Sequence, residues 1–184
     1  MILIVLIVFT GCGQNRITEK EEKKETVESE MNAEAKKAAQ TFRSVYMKEK
    51  SELNTLKVKR KIINCLEEKG YAAVDCDNQI DMVNREKVEE FCKAAEKEEQ
   101  AAVDIVVVFD EGEIIQYHLE SMNGKINVRL CQVKWKDNSP QANYYDEYEA
   151  YEWKYTEKGY LFLEEYRPPG FDGAPGETGF RVQP

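Results

Sequence analysis

The dipeptide Asn123-Gly124 most constrains how this chain can fold, because Asn-Gly favours a type I′ turn and so fixes the register of the segments on either side. Folding the chain about this turn places Leu119 opposite Val128. Tyr117 then faces Leu130 on the same side of the hairpin. The opposite side collects polar residues: Gln116, His118, Glu120, Asn127 and Arg129. One apolar and one polar face predict an antiparallel sheet whose apolar side is covered by other elements.

Strand signals fill the second half of the chain. Residues 103–109 are apolar at nearly every position, which is typical of a central strand covered on both faces. A polar loop at 137–143 is expected to lead to a last hairpin, in which Tyr155 faces Tyr160 and Trp153 faces Phe162. Residues 179–184 resemble the start of a further strand.

Helix signals fill the first half. Apolar residues at helical spacing predict helices at 32–46, with Asn32 as the N-cap, and at 53–66, ended near Gly70. Asn84 is expected to cap a third helix. Between them, residues 71–75 and 80–83 are expected to form two short strands around a turn.

The order of these elements is helix, helix, short hairpin, helix, and then an antiparallel meander of four strands. Over residues 32–166 this order resembles the NTF2-like and cystatin-like folds, which implies a curved sheet wrapped around helices with a cone-shaped pocket. The predicted fold class is therefore α+β, with N-terminal helices packed on a curved antiparallel sheet. The domain is expected to span 32–167, followed by an irregular Pro/Gly-rich tail at 168–184.

The N-terminus carries a separate signal. Residues 2–9 form an unbroken apolar run that is shorter than the roughly 20 residues a membrane-spanning helix needs, and has the length of a secretory h-region. The sequence Phe9-Thr10-Gly11-Cys12 that ends the run resembles the lipobox of bacterial lipoproteins, although no Lys or Arg precedes the run. That resemblance implies cleavage before Cys12 and diacylation of its thiol. Residues 1–11 are then a signal segment, and the Glu/Lys-rich residues 12–31 are expected to be a disordered tether or a fraying helix.

Location and partners follow from the same features. The lipobox, the Glu/Lys-rich tether and the stretch 70–75 resemble uncharacterised lipoproteins of gut Firmicutes, which implies anchoring at the outer face of the cell membrane. A net charge of -9 argues against nucleic acid, because phosphate binding needs clustered Lys and Arg. The expected partners are the membrane, through the lipid, and a protein or cell-wall ligand, with no cofactor.

Four cysteines remain if Cys12 is lipidated: Cys65, Cys76, Cys92 and Cys131. Four cysteines in an exported chain permit two disulfides in three connectivities. Cys65 and Cys92 fall at apolar positions of predicted helices, which favours free, buried thiols. The spacings match no zinc site, so no metal is expected.

Two function classes compete. A binding or accessory module would use aromatic side chains of the last hairpin: Tyr151, Trp153, Tyr155, Tyr160 and Phe162. An enzyme would use an NTF2-like pocket with His118, the single histidine, as acid or base. The hairpin register places His118 on the polar face opposite Arg129, where it is expected to be solvent-exposed. A binding module without catalysis is therefore the leading prediction, and a purely structural spacer is the third alternative.

Overall fold

The computed structural model describes residues 14–77, 81–165 and 176–182. Within these residues, four α-helices pack against a curled sheet of seven strands, so the predicted α+β class is confirmed. The helices are α1 (Gln14–Thr41), α2 (Arg43–Lys48), α3 (Leu56–Glu67) and α4 (Arg85–Glu96). The strands are β1 (Ala72–Asp75), β2 (Ala101–Val108), β3 (Ile114–Met122), β4 (Lys125–Lys136), β5 (Ser139–Tyr155), β6 (Tyr160–Glu165) and β7 (Gly176–Arg181).

The strands lie in the sheet in the same order as in the chain. Strands β2 to β7 form an antiparallel meander, and β1 lies parallel to β2 at one edge. Asn123 and Gly124 both have positive φ, as the type I′ turn requires. Leu119 pairs with Val128 as predicted, so this turn sets the register at the centre of the sheet.

The sheet curls so that β7 approaches β3 across its concave side. The ring of Tyr117 on β3 contacts that of Phe180 on β7, with 5.0 Å between centroids, although three strands separate them in the sheet. This concave side is filled by apolar side chains of α4 and of both ends of the sheet, among them Phe91, Val103, Leu119, Leu161 and Leu163.

The convex side is covered by α1 and α3. Buried side chains from these helices, such as Ala39 and Ile62, pack on Val106 of β2 and Cys131 of β4. Strand β2 therefore contributes buried residues to both sides, which explains its almost continuous apolar sequence and confirms that prediction.

The first helix differs from its predicted limits. Helix α1 begins at Gln14, so Asn32 lies inside it and the predicted N-cap there is wrong. The backbone of residues 14–31, predicted as a tether, is helical. Glu, Lys and Ala have high helix propensity, and extending a helix already held by packing costs little because its nucleus exists. The same predicted helix ends early, since Phe42 separates α1 from α2.

Two predicted connections are also wrong. The segments 71–75 and 80–83 do not form the predicted pair of strands, because β1 pairs in parallel with β2. In the described part of 80–83, only Val83 forms a bridge, which is antiparallel and joins it to Ala73. Residues 78–80 lie outside the described residues. The predicted loop at 137–143 is a two-residue turn between β4 and β5. Asp137 and Asn138 both adopt positive φ, which these short polar side chains tolerate, so the strands continue up to the turn.

The predicted aromatic pairing of β5 with β6 is wrong by one residue. Trp153 pairs with Leu163 rather than Phe162, and Tyr155 pairs with Leu161. A shift of one residue turns every side chain of a strand to the opposite face. The observed register buries both leucines completely in the concave core.

The predicted irregular tail at 168–184 also needs correction. The strand expected from residue 179 exists and begins at Gly176, while residues 166–175 lie outside the described residues. Phe180 and Val182 are buried in the concave core, which holds β7 against β6. Gly179, which directly precedes Phe180, lets the ring of Phe162 lie directly over the backbone of β7.

Candidate functional site

The candidate site begins with the short length of β1. Its four residues pair with residues 105–108 of the eight-residue β2, so residues 101–104 extend beyond it. The Cys76 N–H donates to the Val108 carbonyl at 2.9 Å, which shows that Val108 directs its backbone groups toward β1. Because this direction alternates along a strand, the backbone of Asp104 and Ala102 faces the same edge. In the described sheet, the edge of β2 at Ala102 has no neighbouring strand.

The end of α3 explains why β1 starts so late. Gly70 adopts φ +84 after α3, as the sequence predicted for a helix end. The Asn84 side chain then donates hydrogen bonds to the carbonyls of Glu67 (3.2 Å) and Tyr71 (2.8 Å). Asn84 occupies the N-cap position of α4, as predicted, but it has φ +50 and its side chain forms no capping hydrogen bond. It instead ties the start of α4 to the chain between α3 and β1.

A cleft of about 650 Å³ lies along the open edge of β2. Its wall on the concave side consists of α4 residues, including Phe91 and Ala94. Its wall on the convex side contains Tyr71, Asp104 and His118. The α4 wall therefore combines the apolar Phe91 and Ala94 with the charged Lys87 and Glu90, whereas the opposite wall is polar.

One end of the cleft carries two cationic side chains. Lys69 and Lys87 line the cleft beside Gly70, where the chain enters β1. The Lys87 ammonium donates a hydrogen bond to the Gly70 carbonyl, which holds it at this end. The opposite end, at Ala101, is where β2 begins.

His118 belongs to an array of charged groups on the convex face. Its Nδ1 lies 2.9 Å from an Asp104 carboxylate oxygen, and its Nε2 lies 3.5 Å from Glu120. Arg129 forms an ion pair with the other oxygen of Glu120. Gln116 donates to Asp104 at 3.2 Å from the adjacent position on β3. The array therefore alternates acidic and basic groups across β2, β3 and β4.

The array favours a protonated imidazole. The hydrogen bond to Asp104 raises the pKa of His118, and burial, which acts in the opposite direction, is the weaker effect. Burial alone would raise the pKa of Asp104, but the hydrogen bond and charge of His118 lower it overall. Both ring nitrogens of His118 lie near carboxylates, which stabilises the protonated ring and disfavours a role as general base.

The sequence placed His118 correctly opposite Arg129 but missed two features. The histidine side chain is 25% exposed rather than open to solvent, and Asp104 is its closest charged partner. Asp104 is the single charged residue in the apolar run of β2. Folding the chain about the turn at Asp110–Gly112 would have placed Asp104 opposite His118, as the structure has it.

The five aromatic residues predicted as a binding surface do not lie together. Trp153 and Tyr155 pack against the concave core, where the Trp153 indole N–H donates to the Gly124 carbonyl at 2.9 Å. Tyr160 and Phe162 alternate with the buried leucines of β6 and stack on each other outside, with 5.9 Å between centroids. Tyr151 is 60% exposed at the irregularity in β5.

A second charged cluster holds α3 against the ends of β1 and β2. The Lys59 side chain is 1% exposed, and its ammonium lies 2.5 Å from Asp77 and 2.7 Å from Asp110. Burial alone would lower the pKa of Lys59, but the hydrogen bonds to both carboxylates raise it overall. These acidic residues therefore neutralise an internal ammonium group, and no cluster among the described residues has the composition of a metal site.

A family model matches residues 25–184, which include most of α1 and the whole sheet, and it describes a family of unknown function (DUF6070). The chain belongs to this family. No curated protein matches the chain, and no solved structure matches it. Membership in DUF6070 therefore fits the prediction of an uncharacterised α+β family and assigns no chemistry to the cleft.

The remaining site predictions concern the cysteines and the membrane. Cys65, Cys76, Cys92 and Cys131 are all free thiols, and burial raises the pKa of each. Cys12 lies outside the described residues. Among the residues that the structure describes, no helix is long and apolar enough to cross a membrane.

Proposed function

We propose that this protein is an extracytoplasmic binding module, anchored to the outer face of the cell membrane through a lipid on Cys12. The open-edged cleft beside β2 is the observation that supports a binding role. Its volume lies within the range of about 300–1,000 Å³ typical of ligand sites. The apolar run and the lipobox-like residues 9–12 support the anchor.

Helix α1 adds a spacing function to this proposal. From residue 24 onward, where the side chains of α1 are described, Met31 is the first buried one. At 1.5 Å per residue, the helix between Gln14 and Met31 is roughly 25 Å long. A lipid on Cys12 would then hold the domain at about that distance from the membrane surface on a helical stalk.

Native mass spectrometry of the protein extracted from its own envelope tests the anchor. The expected species begins at Cys12 and carries the mass of two acyl chains and a glyceryl group. The Cys12→Ser variant is the matched control and should lack that mass. A species that retains Met1 and carries no lipid would contradict the anchor and the location outside the membrane.

An enzyme with His118 as acid or base is the second candidate, and the Asp104–His118 contact at the cleft wall is the observation that favours it. The binding role has better support because Glu120 faces the second ring nitrogen. Turnover of a cleft ligand that disappears in His118→Ala, with the fold retained, would favour the enzyme.

A further inference from the structure

We propose that the cleft binds a short extended peptide, which adds as a strand to the open edge of β2 with its C-terminal carboxylate beside Lys69 and Lys87. This inference rests on the proposed binding function and names the chemistry of its ligand. Three features of the cleft carry it: the free strand edge, the two unlike walls and the cationic end.

The free edge supplies the backbone hydrogen bonds. Ala102 directs both its N–H and its carbonyl toward the cleft, and Asp104 directs its N–H there, by alternation from Val108. An added peptide strand satisfies such groups regardless of its side chains, as in other complexes formed by strand addition. The four residues 101–104 span about 13 Å at 3.3 Å each, which sets the ligand length at three to four residues.

The two walls supply the side-chain preference. A peptide in the plane of the sheet directs alternate side chains to opposite faces. On one face they would meet Phe91 and Ala94 of α4, and on the other Tyr71, Asp104 and His118. The expected ligand therefore carries an apolar side chain toward Phe91 and Ala94, and polar side chains toward Asp104 and His118.

The cationic end supplies the direction. Residues 101 to 104 run toward Gly70, where Lys69 and Lys87 lie. A peptide that places its carboxylate between these ammonium groups runs parallel to β2, in line with β1. Charge complementarity thus selects the parallel arrangement and a free C-terminus.

The experiment uses the full chain with Cys12→Ser, labelled with ¹⁵N and solubilised in a non-ionic detergent. The probes are two libraries of N-acetylated tetrapeptides, one with free C-terminal carboxylates and one with C-terminal amides. Hydrogen exchange of individual amides is measured by NMR with each library. The expected result is slower exchange, by tenfold or more, at Ala102 and Asp104 with the carboxylate library, and a smaller effect with the amide library.

Two pairs of variants make the test specific. Ala102→Pro removes the edge N–H without breaking the pairing of β2 with β3, and should weaken binding of the enriched peptide at least tenfold. Ala102→Ser keeps that N–H and is its matched control. Lys69→Gln should weaken binding about threefold to fivefold, whereas Lys93→Gln, an exposed change on α4, should leave it unchanged.

Three outcomes would overturn the inference. One is unchanged amide exchange at Ala102 and Asp104 at millimolar library concentration. Another is binding of free acetate with the same affinity as the peptides, which would indicate a site for a carboxylate alone. The third is protection of the same amides through dimerisation of the chain in the absence of peptide. Because lipidation is measured by mass on envelope protein, the anchor and the peptide site can each fail independently.

Discussion

The cation of the ion-pair cluster around Lys59 is buried and its two anions are exposed. Removing the cation and removing the anions should therefore change the stability by different amounts. The Lys59 side chain is 1% exposed, whereas those of Asp77 and Asp110 are 62% and 61% exposed. Removing the lysine leaves two carboxylates that water can hydrate. Removing the carboxylates leaves an ammonium group that water cannot reach.

The two perturbations should therefore differ in size. Lys59→Met replaces the buried charge with an apolar chain of similar length, and such replacements are often neutral or stabilising. The free energy of unfolding should therefore fall by at most about 1 kcal/mol. The double variant Asp77→Asn with Asp110→Asn leaves the buried ammonium group without an anionic partner, so the free energy of unfolding should fall by about 3 kcal/mol. This value is at the lower end for a broken buried ion pair, because asparagine still accepts hydrogen bonds from the ammonium group.

Urea unfolding at pH 7, followed by circular dichroism, measures both changes. The matched control is Glu152→Gln with Glu157→Gln, which removes the same charge from exposed positions. A loss of 3 kcal/mol or more in Lys59→Met would refute the reasoning. So would a double aspartate variant that is as stable as the control.

The pH dependence follows from the same cluster. The hydrogen bond to Lys59 lowers the pKa of Asp77, so its contribution to stability is present above the ordinary aspartate pKa and is lost as the pH falls through the lowered value. The pKa of Lys59 is raised, so its contribution is complete below the ordinary lysine pKa and is lost only as the pH rises through the raised value. Lys59→Met should therefore flatten the acid limb of the stability curve.

Two further predictions concern the convex array and the last strand. NMR titration of His118, the single histidine, should give a pKa above its ordinary value of about 6.5, and Asp104→Asn should lower it; a wild-type value at or below 6.5 would contradict the array. The stability that protonated His118 contributes is complete below pH 6.5 or so and is lost as the pH rises through its raised pKa. Gly179→Val should lower the free energy of unfolding, measured in urea, by about 1–3 kcal/mol, because a Cβ at this position would lie 3.2 Å from the Phe162 ring. In a Phe162→Ala background, the same substitution should lower it much less. Equal losses in both backgrounds would show that the ring contact is not the cause.

Local signals predicted the centre of the sheet well. Asn123-Gly124 fixed the pairing of β3 with β4, and the continuous apolar pattern of β2 predicted a strand covered on both faces. These succeed because turn geometry and side-chain alternation act over a few residues. The same kind of signal predicted the wrong register for β5 and β6. Two registers that differ by one residue were compatible with the turn, and the observed one buries Leu161 and Leu163.

The candidate site could not be predicted in the same way, because it depends on distances between elements far apart in the chain. The open edge exists because Gly70 and Asn84 fix where β1 begins, and because β1 pairs in parallel with a strand 33 positions later, Ala72 with Ile105. A parallel pairing leaves no turn signature in the sequence. Likewise Lys59 meets Asp110 only because α3 packs across the ends of both strands.

The open edge of β2 is held extended by its other neighbours, which bears directly on peptide binding. Residues 101–104 pair with β3 along their other edge, and Val103 is buried on the concave side. A ligand therefore does not have to order the receptor strand, and this preorganisation lowers the entropic cost of binding. Exposed edges usually invite pairing with other chains, and proteins restrict this with short edges and nearby charges. Here the free edge is four residues long and Lys69, Lys87 and Glu90 line the cleft around it, so a long strand from another molecule is excluded while a short peptide with a free carboxylate still fits.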